Sequence, residues 1–454
     1  MNKAGVLILA LLHTFKGGVH PLQKIHEGKR YSEHVAIKAA KVPSVLMVPM
    51  SQHIGAPCKP VVKKGDTVKM YQLIGEAAGF VSAPIHSPVS GKIKDVKKMM
   101  HMSGKEVETI IIENDFKDEI DENVKPYGTI DDLTPEQLKD ISLKAGLVGM
   151  GGATFPTHVK LSPPKDTHCD TVILNGAECE PFLTADHRLM LEMPELVVKG
   201  LYAFKKLLGA ERGIIGIEQN KMDAYEVIKK ACEPYDGIGV ELIKTKYPQG
   251  AEKQLIEALT GRQVPSGGLP IAVGIVVSNV GTAATFAQAI ETGKPLVERI
   301  VTVTGAVNEP SNLLARVGTT FQDMIDQCGG FKGEPVKIIS GGPMMGMSIF
   351  DPEITTVGKG TSGILVLDKQ LANTEKETAC IRCGRCATVC PVGLLPLTIN
   401  AFSIKGMYDK CDEYKAMDCI ECGSCSFICP AKRNLAQSIR VAKKQILQIR
   451  KNKK

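Results

Sequence analysis

No apolar run in this sequence approaches the roughly 20 residues needed to cross a bilayer. The one faintly signal-like stretch, Val6-Leu-Ile-Leu-Ala-Leu-Leu12 behind Lys3, is short and has no small-x-small cleavage site after it, so it reads as a buried first strand. An excess of one charge is missing too. Lys and Arg number 56 against 49 Asp and Glu, a net charge of +7, which speaks against a general nucleic-acid binder. The imbalance is local: from Ala431 to Lys454 there are nine Lys or Arg residues and no Asp or Glu. A disulfide framework of cysteines spread in pairs through a small secreted domain is also absent. Of fourteen cysteines, eight fall in two dense runs, and Cys58, Cys169, Cys179, Cys232, Cys328 and Cys411 are scattered. That usage points to metal ligation in a reducing compartment, the cytoplasm. What remains is ordinary for a globular chain with a real core, 43% hydrophobic and 23% charged. Its 454 residues suggest roughly three domains.

The cysteine runs are Cys380-Ile-Arg-Cys383-Gly-Arg-Cys386-Ala-Thr-Val-Cys390-Pro391 and Cys419-Ile-Glu-Cys422-Gly-Ser-Cys425-Ser-Phe-Ile-Cys429-Pro430. Two-residue gaps let a tight loop offer three thiolates to one face of a cubane. The fourth cysteine follows a longer gap and a turn, and in two-cluster ferredoxins it binds the other cluster. Cys380, Cys383, Cys386 and Cys429 are therefore assigned to one [4Fe–4S] cluster, and Cys419, Cys422, Cys425 and Cys390 to a second. The proline after each run keeps the last cysteine out of a helix. Structural zinc usually pairs Cys-x2-Cys with a second pair roughly 12–20 residues on, which neither run does. Between the runs, residues 392–418 read as helical, giving an α-helical ferredoxin module.

Residues 30–115 read as all-β, with short apolar runs such as Val45-Leu-Met-Val48 and Thr109-Ile-Ile-Ile112 between turns. Val61-Val-Lys-Lys-Gly-Asp-Thr-Val68 and Ser87-Pro-Val-Ser-Gly-Lys-Ile93 resemble a lipoyl- or biotinyl-carrier domain, a barrel-sandwich hybrid. A carrier needs a lysine at its exposed hairpin, and residues 75–90 contain none, so the domain is expected to be structural. Residues 126–299 alternate strand and helix, an α/β layer pattern. Strands are expected over Thr171–Leu174, Gly213–Ile217 and Val240–Ile243, and helices over Leu189–Leu208, Met222–Cys232 and Ala251–Leu259. Residues 300–350 return to short strands and turns.

The α/β region holds Gly149-Met-Gly-Gly-Ala-Thr-Phe-Pro-Thr-His-Val-Lys160. A glycine run before a possible helix frees backbone N–H groups to face a phosphate, although glycines also serve plain turns. This segment resembles the flavin loop of the NADH-oxidising, FMN-bearing subunit of respiratory complex I, GRGGAGFPTG followed by Lys. Leu174-Asn-Gly-Ala-Glu-Cys-Glu-Pro181, Tyr247-Pro-Gln-Gly-Ala-Glu-Lys253 and Val277-Ser-Asn-Val-Gly281 match further segments of that family in order. The resemblance implies that Gly149, Gly151, Gly152, Lys160, Asn175, Glu178, Gly250 and Asn279 contact FMN. It implies that Phe155, Glu180 and Glu252 shape an NADH pocket. The family's Arg is Met150 here, its Asp is Ala177, and the first Glu of its Gly-Glu-Glu loop is Ala251.

The whole order resembles the C subunits of the Rnf complexes, membrane-bound ion pumps linking ferredoxin to NAD. It runs from Thr14-Phe-Lys-Gly-Gly-Val-His-Pro21 through a carrier-like domain, a flavin domain and a β-grasp (SLBB) domain to a two-cluster ferredoxin. The implied fold class is multidomain α/β and α+β. The implied domains are 1–125 (N-terminal segment and barrel-sandwich hybrid), 126–299 (FMN/NADH-binding α/β), 300–352 (β-grasp), 353–435 (connecting strand and ferredoxin) and 436–454 (basic tail). The implied activity is an NAD-linked oxidoreductase subunit that passes electrons between NAD(H), FMN and two [4Fe–4S] clusters. It needs no catalytic acid or base, because nicotinamide, flavin and cluster react by positioning. The implied partners are the membrane flavoprotein subunits and the ferredoxin-like B subunit, with ferredoxin reached indirectly. No nucleic acid is implied, and the place is peripheral, on the cytoplasmic face of the membrane. Two alternatives stay open: a microcompartment cobalamin reductase, and a relay adaptor that binds no nucleotide. The basic tail repeats Leu435, Ile439, Ala442, Ile446 and Ile449 at helical spacing, so it reads as a docking helix for anionic lipid or an acidic partner, or else a solvated end.

The missing hairpin lysine has a direct consequence. Intact-mass measurement after native expression is expected to show no lipoyl or biotinyl adduct on residues 30–115, and an adduct there would overturn the structural reading of this domain.

Overall fold

The computed structural model describes residues 12–20, 27–164, 166–372 and 375–452. The expected first strand over residues 6–12 lies outside the described residues except for Leu12. Val45–Pro49, Glu106–Asn114, Gly91–Met100 and Thr67–Val68 form an antiparallel sheet in that spatial order, opposite a smaller sheet of Lys59–Pro60, Leu73–Glu76 and Ile85–His86. Alternating apolar residues from both sheets, among them Leu46, Val48, Ile74, Ile85, Ile93, Ile110 and Ile112, form one buried core. The Lys64-Gly-Asp turn closes as its residue types demand: Gly65 takes a φ of +94°, and the Asp66 carboxylate accepts from the Lys63 N–H.

The α/β unit is a four-stranded parallel sheet in the spatial order Ile238–Ile243, Arg212–Glu218, Thr171–Gly176, Ile275–Asn279. The strand order reverses between the last two, where Asn175 and Asn279 are direct register partners at the carboxyl ends. Open α/β sheets place ligands at such a switch point. Helices Pro194–Leu208 and Val280–Thr292 cover one face and cross closely at Gly200, where a Cβ would lie 2.0 Å from the Ala283 carbonyl oxygen. The single helix expected over 189–208 is two helices, Ala185–Glu192 and Pro194–Leu208. Pro194 has no N–H to continue the first and fits the first turn of the second.

The β-grasp sheet has six strands, ordered Lys38–Ala39, Ser311–Arg316, Glu298–Gly305, Gly363–Leu367, Lys337–Ser340, Met347–Ile349. Its central strand, Gly363–Leu367, was expected to belong to the connection to the ferredoxin module. All five of its residues are buried, and a continuous apolar run of that kind needs neighbours on both edges and both faces. The sheet reaches back to the barrel through Arg316, which pairs with both carboxylate oxygens of Asp118 at 2.6 and 2.7 Å.

The ferredoxin module is an internal repeat with an offset of 39 residues. Arg382 and Glu421 both have positive φ (56° and 59°), as do Gly384 and Gly423 (75° and 78°), and the short helices Arg385–Thr388 and Ser424–Phe427 follow. Helix Leu435–Asn452 was expected to be a separate basic tail. Instead it closes the module: Leu435, Ile439, Ala442 and Ile446 are buried, the last three in one core with Ile399, Cys411 and Ala416. Its charges are also partly used internally, with Arg440 and Lys443 on Glu421 and Arg450 on Asp412. The apolar stripe therefore faces the chain's own core rather than a membrane. Burying a Leu/Ile stripe of this length stabilises by several kcal/mol.

The opening segment ties distant parts together. His13 bridges Ile243 at the edge of the parallel sheet, Val19 exchanges both backbone hydrogen bonds with Tyr247, and the Gly18 N–H donates to the Val389 carbonyl at 2.8 Å. Gly17 and Gly18 have positive φ (85° and 77°), and a Cβ on either would strike the backbone of Cys390 or Tyr247.

Ile439→Ala removes a core side chain between the two cysteine repeats. It is expected to cost about 2–4 kcal/mol and to lower the denaturant midpoint for loss of cluster absorbance. Truncation after Asn434 should abolish cluster retention. An unchanged midpoint and full iron content would mean that this helix is dispensable.

Candidate functional site

The glycine loop is a narrow arch. A bridge between Val148 and Pro156 closes its base, and the Gly149 N–H donates to the Phe155 carbonyl. Gly151, Gly152 and Ala153 form its exposed crown, and a Cβ on Gly152 would meet nothing within 4 Å. Among the described residues no partner is found for the N–H groups of these three residues. Gly151 leans on Asn279, where a Cβ would lie 2.6 Å from the amide nitrogen. Asn279 is fixed from both ends. Its Oδ1 accepts from the Gly281 and Thr282 N–H groups at the head of helix Val280–Thr292, and its Nδ2 donates to Asp186 at 2.7 Å. Burial pushes the half-buried Asp186 carboxyl up to about 6, helped by the negative Glu178 beside it and opposed by Arg299.

Across the switch point, Asn175 donates from Nδ2 to the Gly250 carbonyl at 2.7 Å and accepts from the Ala177 N–H. Gly149, Gly151, Gly152, Asn175, Gly250 and Asn279 thus come together around the carboxyl ends of the parallel strands. Lys160 and Glu252 meet directly at 2.6 Å. Phe155 is half-buried at the foot of the arch.

Two predicted residues are engaged elsewhere. Glu178 accepts from the Asp186 and His187 N–H groups, capping helix Ala185–Glu192, and lies 3.9 Å from the buried ammonium of Lys29. Its carboxylate therefore stands beneath the cradle. Glu180 accepts from the Met344 and Met345 N–H groups at 3.0 and 2.8 Å, clasping the Ser340-Gly-Gly-Pro-Met-Met-Gly346 loop of the β-grasp unit. Burial holds its carboxyl up at about 7. Met150, at the family's arginine position, is buried: its sulfur accepts from the Thr285 hydroxyl, and its N–H donates to Thr282. Ala177 is packed in the core beside Ile173 and Leu255.

The arch is held from below by a residue outside every sequence motif. Arg299, 3% exposed, donates to the Met150 carbonyl at 2.5 Å and to the Lys359 carbonyl at 3.1 Å. It is held from the side by two loops of the barrel, one of them the hairpin that lacks the carrier lysine. The Phe80 carbonyl meets His158 Nε2 at 3.1 Å, the Phe80 and His158 rings stand edge to face, and the Ile54 N–H donates to the Thr154 carbonyl. Several buried polar atoms near the arch lack a partner among the described residues: Thr157 Oγ1, His158 Nδ1 and Gln249 Nε2. An exposed N–H crown, an open glycine and unpaired polar atoms fit a phosphorylated, hydrogen-bonding cofactor such as FMN.

Of the cysteines assigned to the second cluster all four adjoin one another, and of the first set Cys386 and Cys429 adjoin. Burial raises Cys425 to about 12, with Cys419, Cys422 and Cys390 as the adjoining sulfurs, and it raises Cys386, which has Cys429 beside it. The Arg382, Glu421 and Leu394 N–H groups each donate to a cysteine sulfur (Cys380, Cys419 and Cys390) at 3.3 Å. Burial that opposes bare thiolates, together with N–H donors aimed at sulfur, fits thiolates neutralised by iron. Among the described residues no three His, Cys, Asp or Glu side chains converge closely enough for a single metal ion. The second loop adjoins the flavin-like unit. Cys422, 7% exposed, shares a core with Val19 and Tyr247, joined by partly buried Cys179 and Met344, and the Tyr247 hydroxyl donates to the Cys422 carbonyl at 2.7 Å. Cys383, in the equivalent place of the first loop, is exposed.

Comparison with known proteins accounts for this order. Residues 13–117 match the RnfC barrel-sandwich hybrid domain, 143–288 the Nuo51 FMN-binding domain, 300–348 the SLBB domain and 379–433 the 4Fe–4S dicluster domain. The chain is 54% identical over 96% of its length, and 97% of the relative, to the C subunit of the Na(+)-translocating ferredoxin:NAD(+) oxidoreductase complex of Acetobacterium woodii. It is 50% identical over 95% of its length, and 94% of the relative, to the C subunit of the proton-translocating complex of Clostridium ljungdahlii. It is 40% identical over 86% of its length, and 74% of the relative, to the C subunit of the ion-translocating oxidoreductase complex of Rhodobacter capsulatus.

Arg299→Met keeps the bulk but removes both charged hydrogen bonds, each worth about 1.5–3 kcal/mol. FMN affinity, measured by quenching of flavin fluorescence, is expected to fall by about ten- to a hundredfold. Affinity within twofold of the parent, in a protein that melts normally, would show that the arch does not need this prop.

Proposed function

The chain belongs to the family of C subunits of ion-translocating ferredoxin:NAD(+) oxidoreductase complexes, and on that premise we propose that it is the NAD(H)-binding entry and exit of such a complex. The observation that carries the reading is the abutment on the Cys422 loop of the Tyr247–Gly250 segment, whose Gly250 carbonyl holds Asn175 at the sheet's switch point. FMN, when bound, exchanges a hydride with NAD(H) and releases electrons singly, and [4Fe–4S] clusters relay them one at a time. The residues supply positions and a dry path between them. The arch N–H groups and Lys160 would hold the phosphate end of FMN, with Asn175, Gly250 and Asn279 lining the ring side. Glu178 would act from below by capping the helix that carries Asp186, and not by direct contact. Phe155 and Glu252 would border the nicotinamide space. Glu180 would shape it through the Met344–Met345 loop that it clasps.

Cys390, Cys419, Cys422 and Cys425 would hold the cluster nearer the flavin. Cys380, Cys383, Cys386 and Cys429 would hold the outer one. Burial of the Cys422 loop and exposure of the Cys383 loop support that order. Among the described residues no helix is long and apolar enough to cross a membrane. We therefore place the chain peripherally, on the cytoplasmic face, held by the membrane flavoprotein subunits and a ferredoxin-like B subunit. The two relatives with different coupling ions are about equally similar to this chain, which supports locating ion transport in those other subunits.

Anaerobic NADH titration is expected to bleach flavin absorbance first and cluster absorbance second; no bleaching in a flavin-replete protein would sink the reading. Cys383→Ala removes one of three thiolates from the outer loop. It is expected to lose or degrade that cluster, to keep FMN and NADH–ferricyanide activity within about twofold, and to lose more than about 90% of transfer to the complex. Loss of ferricyanide activity with flavin still bound would reverse the proposed order.

A further inference from the structure

The 39-residue repeat makes the two cysteine loops comparable position by position, and their surroundings differ in one respect. The second loop is covered. Ile420 is partly buried against Cys422, Val19 and Tyr247, and a Cβ on Gly423 would lie 3.0 Å from the Met344 carbonyl oxygen. Among the described residues the first loop leaves the equivalent positions uncovered. Ile381 is 69% exposed, Cys383 is exposed, and a Cβ on Gly384 would meet nothing within 4 Å. A face that packs on protein in one copy stands open in the other.

Its charge differs as well. Where the second loop has Glu421 and Ser424, the first has Arg382 and Arg385. Glu421 is neutralised by Arg440 and Lys443. The positions equivalent to those two bases in the first repeat are Ala401 and Ile404, and Ile404 is 64% exposed. No side-chain partner is found for Arg382 or Arg385 among the described residues, although the nearby Glu375 and Glu377 are paired with Lys432 and Arg433. The open loop thus carries an exposed apolar side chain and two guanidinium groups without a side-chain partner among the described residues, all within one cysteine run.

We propose that Ile381, Arg382 and Arg385 form the docking face for an acidic iron–sulfur protein that exchanges single electrons with the outer cluster. The inference rests on the cluster assignment made above and adds the surface and the charge of its partner. One electron passes across this face per encounter: the partner's cluster is oxidised by one unit as the outer cluster is reduced by one, or the reverse. Exposed charge of one sign around such a contact governs the encounter more than the final affinity, so the signature is dependence on ionic strength.

The repeat also supplies a variant that its own backbone already tolerates. Arg382→Glu with Arg385→Ser copies the second loop, whose residue 421 is a glutamate at the same positive φ. The probe is an acidic, soluble two-[4Fe–4S] ferredoxin, tested on full-length protein loaded with FMN and iron. Calorimetry with the oxidised ferredoxin should show Kd rising about tenfold or more in the variant. Stopped-flow transfer should slow to match and lose most of its salt dependence. Iron content, cluster potentials and NADH–ferricyanide activity should stay at parent values. Ile381→Ser should shorten the complex lifetime while leaving the salt slope intact. Unchanged Kd and salt slope in the double variant would overturn the proposal, as would equal binding of the parent to a basic cytochrome or to anionic vesicles. A slower transfer accompanied by a shifted cluster potential at unchanged Kd would overturn it too. If NADH failed to reduce parent flavin, the function proposed above would fall while the calorimetric contrast stood.

Discussion

Buried cations bonded to backbone carbonyls of other domains hold the parts of this molecule in register. Lys359, on the segment leading to the last β-grasp strand, places its ammonium between the Pro84 carbonyl of the barrel and the Gly146 carbonyl of the α/β unit, at 2.7 and 2.6 Å. Arg299 does the same from the β-grasp strand Glu298–Gly305, and Lys29 donates to the Glu178 and Leu183 carbonyls. An unpaired ammonium in such a place would cost several kcal/mol. Each of these contacts therefore penalises any rearrangement that separates its partners. Burial holds Lys359 down at about 7, a sign of how fully it has left water. Electron transfer by positioning alone requires this kind of rigidity, because no acid–base step can compensate for a misplaced cofactor.

The barrel-sandwich hybrid shows how a fold built for one use is turned to another. In a carrier domain the hairpin would present a lysine to solvent. Here the Phe80 carbonyl of that hairpin instead meets His158, two residues beyond the base of the glycine arch. Phe80 itself remains 69% exposed at the mouth of that contact. The domain contributes a wall, and the arch keeps its shape without a substantial helix behind it, since only the four residues Thr157–Lys160 follow.

Local signals in the sequence were sufficient for the cysteine runs and for three of the four parallel strands, because spacing and pattern act over short range, whereas the glycine loop stood out only by its resemblance to a known family. Helix Met222–Cys232 lies where its periodicity puts it, and Asn175 and Asn279 lie side by side. Long-range pairing left no such trace. Arg299, Lys29 and Lys359 sit in ordinary local contexts, and only the tertiary fold brings them to carbonyls tens to hundreds of residues away. The terminal helix follows the same logic: its basic, periodic sequence fits a surface anchor, and only the tertiary core of Ile399 and Cys411 gives its stripe somewhere to go. The break between the two helices coincides with Pro194, although the apolar periodicity continues on either side.

The opening strap has a consequence for how the chain is made. Gly18 donates to Val389, a residue synthesised 371 positions later, and Val19 pairs with Tyr247, whose hydroxyl in turn reaches Cys422. The Gly18 contact therefore forms only after the ferredoxin module has been translated. At roughly 5–20 residues per second, that leaves the strap waiting for on the order of tens of seconds. Ordering of the turn at Val389–Cys390 is thus what fastens this part of the strap to the ferredoxin module, while its Val19–Tyr247 pairing closes on the α/β unit alone.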